Sequence, residues 1–480
     1  MAKEMTRGIT VKKEEDIAEW YQQLCLKSEV ADFAPVKGCY ILRPLGYSLW
    51  EGIQAYFNKR MKARGVQNAY FPLFIPESFF YKEAEHAKGF KPEVAWIANT
   101  EEGAERLGLR PTSETIMYDS YSRWLRSWRD LPIRINQWAN VVRWETEATK
   151  LFLRSREFLW QEGHCVYETK EDCDREVKLF LLEYKEMCEE LLAMPVIAGT
   201  KTVKEKFAGA LYTMSIEGLM PDGKALQCGT SHNLGQGFAK SFNLSFQDKD
   251  GEPKTPWQSS WGVSTRLIGG MIMTHSDNKG LVLPPRIAPN KVAIVPILFD
   301  ASKERVLAAC SKAKELLHEY SPILDDREDY SPGWKFNEYE LKGVPLRIEI
   351  GPKDVDAGQA VVVRRDTGEK EFVKVDDLGR IVPEMLEQMH KDMLEKAEKF
   401  MELNTVTADN WDDFIRLSKE GKLVKIPFCG EVECEELIKD KTQGVSSRNI
   451  PLEGSETKPG TKCLHCGKDA RHFTFFSRSY

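Results

Sequence analysis

Apolar positions in this chain switch between two spacings, and the switches mark its elements. Between residues 14 and 33, Ile17, Trp20, Tyr21 and Leu24 fall on one helical face. Residues 39–42 read as a short strand. From Gly46 to Arg64, Leu49, Ile53, Phe57 and Met61 recur at helical spacing, so a long helix is expected, stopped by Gly65. Residues 69–76 are apolar but carry Pro72 and Pro76, which predicts an extended, buried segment rather than a regular central strand. A helix is expected over 113–129, then two strands, 136–144 and 152–161, joined by the charged loop 145–150. A helix rich in Glu, Lys and Leu follows over 170–193, and strand text recurs near 210–216, 225–227 and 242–246. This order is not an alternating βαβ pattern. It predicts an α+β fold built around an antiparallel sheet.

The pattern changes after Leu283-Pro284-Pro285-Arg286. Residues 292–297 form an unbroken apolar strand, a helix is expected over 302–319, and strands at 345–350 and 360–364. From near Val382 a long amphipathic helix presents Leu386, Met389, Met393, Ala397 and Phe400 on one face. These elements make an α/β domain of about 110 residues. The remaining residues are a weakly hydrophobic third unit. The expected divisions are 1–285, 286–400 and 401–480. There is no internal repeat and no low-complexity tract.

Composition adds limits. A chain of 480 residues is too long for one core. With 42% hydrophobic and 30% charged residues it is ordinary globular text. No apolar run has the length of a membrane span, and the charged N-terminus lacks the apolar centre of a secretion signal, so a cytoplasmic location is expected. A net charge of −6 argues against a generic nucleic-acid coat but leaves room for local basic surfaces that bind structured RNA. Of 11 cysteines, Cys25, Cys39, Cys165, Cys173, Cys188, Cys228 and Cys310 are scattered, mostly in hydrophobic text, which suits buried thiols in a reducing compartment. The other four form two short-spaced pairs, Cys429/Cys434 and Cys463/Cys466, separated by a loop rich in Gly, Ser and Thr. Four thiolates so arranged suit a closed, structural Zn²⁺ site. His465 is a weaker alternative ligand, and four free thiols are the plain alternative.

Two arginine-bearing segments carry the candidate chemistry. Val141-Val142-Arg143-Trp144-Glu145 leads through a polar loop to Phe152-Leu153-Arg154-Ser155-Arg156-Glu157-Phe158-Leu159-Trp160-Gln161-Glu162, and Trp261-Gly262-Val263-Ser264-Thr265-Arg266-Leu267-Ile268-Gly269-Gly270 follows later. Arginines in apolar text are costly unless an anion meets them, and a nucleoside triphosphate would. Arg143 and Glu145, two apart on a strand, face one side of the sheet; Arg154 and Phe158 on the next strand can face the same way. A guanidinium can grip an α-phosphate, and a ring can stack under a purine. Glu145 could accept from an adenine amino group or help hold Mg²⁺. The competing reading is a strand pair with structural Arg–Glu salt bridges.

Arg110-Pro111-Thr112-Ser113-Glu114-Thr115 reads either as a helix cap or as a Thr and a Glu held for an ammonium group. Trp160-Gln161-Glu162-Gly163-His164 sets a second acid beside an aromatic. In Leu226-Gln227-Cys228-Gly229-Thr230-Ser231-His232, Gly229 permits close backbone approach, and Gln227, Thr230 and His232 alternate in part toward one face. A lone histidine is more often structural, so His232 rests on its neighbours. Arg266 opens an apolar helix whose Gly269 and Gly270 imply tight packing. It is either aimed into a cleft or a surface arginine at a helix start, where the dipole disfavours it.

Taken together these segments resemble a class II aminoacyl-tRNA synthetase. The helix 46–64 with Phe71-Pro72 looks like motif 1, Arg143-Trp144-Glu145 with Arg154-Ser155-Arg156-Glu157-Phe158 like motif 2, and the text around Arg266 like motif 3. Within the class the chain is most similar to prolyl-tRNA synthetases of the archaeal and eukaryotic type. The strings that carry this are Arg110 to Thr115, Phe158 to His164, Lys206-Phe207-Ala208-Gly209-Ala210 and Gly351-Pro352-Lys353-Asp354. Two departures stand out: Val263-Ser264-Thr265 precedes the motif 3 arginine, and Arg156 is an extra cation in motif 2.

The resemblance implies an antiparallel-sheet catalytic domain, an α/β anticodon-binding domain and a small C-terminal α+β zinc domain. It implies no large editing insertion between motifs 2 and 3, and a C-terminal Tyr480 that folds back toward the active site. The implied reaction activates L-proline with ATP and Mg²⁺ and transfers it to tRNA(Pro), with Arg143 and Arg266 catalytic. ATP would meet Arg143, Glu145, Arg154, Phe158, Gln227, Thr230 and Arg266. Proline would meet Thr112, Glu114, Arg143, Trp160, Glu162, Phe207 and His232. Arg347, Glu349, Lys353 and Asp354 would read the anticodon. Cys429, Cys434, Cys463 and Cys466 would hold zinc, and motif 1 would make a homodimer. The alternatives are charging of another amino acid and, from another class, a non-catalytic paralogue that binds tRNA or regulates another enzyme. The presence of Arg143, Arg154 and Arg266 speaks against the last.

Overall fold

A computed structural model describes residues 8–86, 94–98, 103–144 and 149–480, with backbone alone over 83–86. Its centre is an eight-stranded sheet. From edge to edge the strands are Ile450–Pro451, Ile197–Thr200, Tyr212–Leu219, Ala225–Gly235, Trp257–Ser264, Glu157–Tyr167, Ile133–Val142 and Gln67–Asn68. Every neighbouring pair is antiparallel except the last. One face packs on the helices Pro44–Ala63 and Lys170–Glu190, whose Phe57, Phe180 and Tyr184 are wholly buried. Phe180 stacks on Trp261 of the sheet with ring centroids 3.9 Å apart. Gly163 lies opposite Trp261, and a Cβ there would come within 2.2 Å of the indole. The other face is covered at one end by the helices Glu114–Trp124 and Gly237–Ser241, whose Tyr118, Tyr121 and Phe238 pack with Val166, and is open as a cleft beyond them.

Several expectations shift. The first helix stops at Lys27 rather than near 33, because residues Ala31–Phe33 pair with Tyr40–Leu42 as a hairpin. Residues 69–76 are not buried throughout: Phe71 and Ile75 point in while Tyr70 and Phe74 are exposed, so the apolar run alternates faces. The first motif 2 strand ends at Val142, so Arg143 lies just beyond it, and Glu145 falls outside the described residues. The second begins at Glu157 rather than 152. Arg154 is therefore not on a strand. It closes a turn with Lys150, in which Phe152 has φ +59°. The apolar text Leu151-Phe152-Leu153 is buried under the helix Arg266–His275: a Cβ on Gly269 would meet Leu153 at 2.7 Å.

The helix expected over 113–129 ends at Trp124 and is followed by a 3-10 turn, Trp128–Asp130. The strand expected near 242–246 is mostly the end of the short helix Gly237–Ser241 and a turn through Asn243, with only Phe246–Gln247 paired. Its alternating Phe242, Leu244 and Phe246 all enter one apolar cluster with Tyr118, Tyr121 and Phe238.

A second, five-stranded sheet runs Ile323–Leu324, Val292–Pro296, Leu346–Ile350, Gln359–Arg364, Lys370–Lys374. Its first three strands are parallel and the rest antiparallel. The helices Lys303–Leu316 and Leu378–Asn404 cover its core of Val292, Ile294, Leu346, Ile348 and Val362. The long helix starts at Leu378, ahead of the expected Val382, and carries Pro383 inside it. A two-armed ion pair, Arg365 to Asp277 at 2.7 and 2.8 Å, ties this unit to the first. The third unit is a four-stranded sheet, Thr405–Thr407, Leu423–Phe428, His472–Ser477 and Ser446–Ser447. It lends Ile450–Pro451 to the edge of the first sheet. Among the described residues no helix is long and apolar enough to cross a membrane.

Candidate active site

Side chains alternate along a strand, so Phe158, Trp160, Glu162 and His164 share one face of Glu157–Tyr167. They line a cavity of about 530 Å³, together with Thr112, Glu114, Arg143, Arg154, Phe207, Gln227, Thr230, His232 and Arg266. Every described residue assigned from sequence to the nucleotide or the amino acid is therefore in one cleft. Two devices make this possible. A bulge between Gln227 and Gly229 re-aims the strand Ala225–Gly235, so that Gln227, Thr230 and His232 all reach the cavity. Gly269 and Gly270 let the helix Arg266–His275 sit tight against Leu153 and Leu226. This aims its first residue at the cleft and removes the reading of Arg266 as a surface cation.

At one end are the arginines. Arg143 donates Nε to the Pro111 carbonyl at 3.1 Å, and its guanidinium lies 5.6 Å from the Phe158 ring centroid and 5.3 Å from that of Trp160. Arg266 donates Nε to the Leu153 carbonyl at 3.0 Å and Nη1 to the Gln227 carbonyl at 3.4 Å. Arg156, by contrast, donates to the Lys37 carbonyl at 3.1 Å and braces the turn from outside.

At the other end are the acids. Glu114 and Glu162 are buried, and both meet the Thr112 hydroxyl. Ser113 starts the helix Glu114–Trp124 without a side-chain cap. Its hydroxyl and its amide, the latter at 3.1 Å, donate to Glu162 instead, so the capping reading of this stretch does not hold. Gln137 donates to Glu162 at 3.1 Å, and His164 Nε2 lies 2.9 Å from it. Burial pushes the Glu162 carboxyl up, but His164, Ser113 and Gln137 outweigh it and hold it below the usual carboxylate range. Burial likewise pulls His164 down, and the charges of Glu114 and Glu162 more than reverse that. His232 is different. Burial, then the charge of His164, drives it down to about 3, so it is neutral. It bridges the hydroxyls of Thr213 at 2.9 Å and Thr230 at 3.0 Å.

The support of these groups is not marked in the sequence: Ser113, Gln137 and Thr213, like the cavity-lining His164 and Glu205, belong to none of the expected site sets. Only His164 had a signal, the two-residue step from Glu162.

The anticodon candidates sit on the second sheet. Arg347 and Glu349 are buried and paired at 2.8 Å, with Arg347 also 3.3 Å from Glu340 and over the Phe336 ring. Asp354 accepts from the Gly351 amide at 2.8 Å and so caps the short helix Pro352–Asp356, which also carries Lys353.

The four C-terminal sulfurs lie within 4.8 Å of one another, with Cys434–Cys463 at 3.8 Å and Cys429–Cys466 at 3.7 Å. Zinc–sulfur bonds of about 2.3 Å in a tetrahedron put neighbouring sulfurs about 3.8 Å apart, so the donor set fits Zn²⁺. His465 stands outside that set, with Nδ1 3.2 Å from the Cys434 sulfur and Nε2 3.0 Å from Lys441. Tyr480 returns to the first sheet: its hydroxyl donates to Asp222 at 2.6 Å and its amide to the Ala225 carbonyl at 3.2 Å.

Comparison with known proteins agrees with this geometry. Residues 91–275 match the class II tRNA synthetase core domain (G, H, P, S and T), residues 291–385 an anticodon binding domain, and residues 411–480 the C-terminal domain of prolyl-tRNA synthetase. A proline–tRNA ligase of Natranaerobius thermophilus is 50% identical over 483 residues, 99% of each chain. One from Alkaliphilus oremlandii is 50% identical over 471 residues, 97% of each. Prolyl-tRNA synthetase of Cryptosporidium parvum, complexed with halofuginone and AMPPNP, superposes with a TM-score of 0.95 at 43% identity, over 99% of this chain and 98% of that one. The same enzyme complexed with L-proline and AMP gives 0.93 at 42%, over 99% and 100%.

Proposed function

The chain belongs to the class II prolyl-tRNA synthetases, enzymes that ligate proline to tRNA, and we propose that the cleft around Arg143 runs both halves of that reaction. The observation that carries the assignment of roles is the lining of one cavity: buried carboxylates beside Gln137 and His164, and arginines beside Phe158 and the Leu153 carbonyl. The proline ammonium binds between Glu114 and Glu162 beside Thr112. Its ring lies against Trp160 and Phe207. Neutral His232, its two ring nitrogens held by the Thr213 and Thr230 hydroxyls, forms part of the wall without repelling the cation. The carboxylate is thereby directed toward Arg143. The adenine stacks on Phe158, with Glu145, Gln227 and Thr230 as polar partners, and Arg154 and Arg266 meet the outer phosphates.

A carboxylate oxygen of proline attacks the α-phosphorus in line. That phosphorus–oxygen bond forms as the bond to pyrophosphate breaks. Arg143 neutralises charge on the α-phosphate, so the cleft works by positioning and electrostatics. The terminal ribose hydroxyl of tRNA(Pro) then attacks the prolyl carbonyl and AMP leaves. No protein nucleophile takes part. Mg²⁺ comes with the nucleotide and would neutralise charge on its outer phosphates. The neutral oxygens of Gln227 and Ser264 suit that end of the cavity.

Around this core we assign the finer features. The chain is of the archaeal and eukaryotic type, with no editing domain between motifs 2 and 3, cytoplasmic, and a homodimer through the helix Pro44–Ala63 and the edge strand Gln67–Asn68. The units divide near 285 and 400, the second division falling inside the last turns of the helix Leu378–Asn404. Arg347, Glu349, Lys353 and Asp354 read the anticodon. The four cysteines hold one structural Zn²⁺. Metal analysis should find one zinc per chain, lost in Cys434→Ser; an unchanged zinc content would refute that site. The decisive experiment is ATP–pyrophosphate exchange with proline, cysteine and alanine side by side. Exchange with proline well above the other two is expected, and its absence in folded protein would sink the reading.

A further inference from the structure

We propose that Ser447 and Arg448, two residues of the C-terminal unit, are positioning residues for the proline end of the cleft. They hold in place the loop 201–210, whose Glu205 and Phe207 line the cavity. This rests on reading that end as the proline site.

Residues 446–451 cross from one sheet to another. Ser446–Ser447 pairs with the strand His472–Ser477 of the C-terminal sheet, and Ile450–Pro451 pairs with Ile197–Thr200 at the edge of the catalytic sheet. Only Arg448 and Asn449 lie between. Both are fixed: the Arg448 amide donates to the Phe475 carbonyl at 2.7 Å, and Asn449 donates to the Ile197 carbonyl at 2.9 Å. The approach is close enough that a Cβ on Gly199 would come within 2.4 Å of the Ile450 carbonyl oxygen. The crossing therefore ends beside Thr200, where the loop 201–210 begins.

Two buried connections run from the crossing into that loop. The first is a chain of hydrogen bonds. The Glu205 amide donates to the Thr202 hydroxyl at 3.3 Å, which lies 3.1 Å from the Ser447 hydroxyl, which donates to the Glu435 carboxylate at 2.6 Å. The Thr202 hydroxyl also bonds the Glu435 carboxylate, so both hydroxyls converge on that acid. The second is ionic. Arg448 donates Nε to the Ser447 carbonyl at 2.8 Å and Nη2 to Glu205 at 3.4 Å. Ser447, Arg448, Thr202 and Glu435 are all buried. Beyond Glu205 the loop is pinned to the site itself. Phe207 donates its amide to the Thr213 hydroxyl at 2.9 Å, and Thr213 is the partner of His232. The far end of the chain is Glu435, next to Cys434 of the cysteine cluster. The C-terminal unit thus reaches the wall of the amino-acid pocket through side chains that touch no substrate.

Such residues should act on proline and spare the nucleotide. In full-length protein, Arg448→Ala should raise KM for proline in ATP–pyrophosphate exchange by about tenfold, with KM for ATP unchanged. The ratio of proline to alanine exchange should fall, and Arg448→Lys should recover part of the loss. Thr202→Val, which removes a hydroxyl and keeps the volume, should raise KM for proline severalfold, and it carries the test if Arg448→Ala does not fold. An unmoved KM for proline, or equal rises for proline and ATP, would overturn the inference. Wild-type protein without proline-dependent exchange would instead refute the proline site, so the two failures are distinguishable.

Discussion

The two ends of the cleft hold charge in different ways. At the acidic end Glu162 is surrounded by side-chain and amide donors from Ser113, Gln137 and His164. The charges of Glu114 and Glu162 hold the His164 imidazole above its ordinary value, so it offsets part of the negative charge that a single ammonium would meet there. At the arginine end Arg143 and Arg266 each give Nε to a backbone carbonyl. A carbonyl fixes the direction in which a guanidinium points. A triphosphate needs guanidiniums held in a fixed direction. A small amine needs a closely fitted charge, because its size gives the pocket little else to select by. The difference teaches that what stands behind a charged group decides how that group is presented to the ligand.

The largest test of this contrast is Arg143→Ala. It removes the cation expected on the α-phosphate and should lower kcat/KM in exchange by about a thousandfold. A loss of tenfold or less would mean that Arg143 does not meet the reacting phosphate. Glu162→Gln comes next. It strips the carboxylate from a buried partner cation and should raise KM for proline by about a hundredfold, while KM for ATP moves little. Equal effects on both substrates would show that the two ends are not separable.

The arginine end was legible in the sequence because an arginine in apolar text is itself a signal. The acidic end was legible only in its first layer. Ser113 sits unmarked in a stretch that also reads as a helix cap, Gln137 reads as an ordinary strand residue, and Glu205 and Thr213 lie near Phe207 only once the loop 201–210 folds back. The period-two text of 242–246 misled for a related reason: alternation reports burial of every second residue, and a helix end followed by a turn can bury the same residues in one cluster. Leu151-Phe152-Leu153 misled similarly, since its apolar side chains are buried in a turn under Gly269 rather than on a strand. The cysteine unit was visible in spacing alone. That it contributes a strand to the catalytic sheet was not, because two residues, Ile450 and Pro451, carry no pattern.

The smallest effect concerns His164, whose role at the acidic end is electrostatic and so depends on pH. Burial lowers its pKa, yet Glu114 and Glu162 hold it above the ordinary 6.5. A group whose folded pKa is raised stabilises fully below its unfolded pKa and loses that contribution as pH rises through the folded value. Glu162 is held below 4.5 and stays ionised over this range, so its own titration does not intrude. Wild type should therefore exceed His164→Gln in melting temperature by a margin that is greatest near pH 6 and shrinks as the solution becomes alkaline. His232, driven down to about 3, contributes no titration to the same window. Thermal melts of both proteins on either side of neutrality measure the margin directly. A margin that stays constant or widens with rising pH would mean that His164 packs beneath Glu162 as a neutral ring, and its electrostatic role at the acidic end would fall.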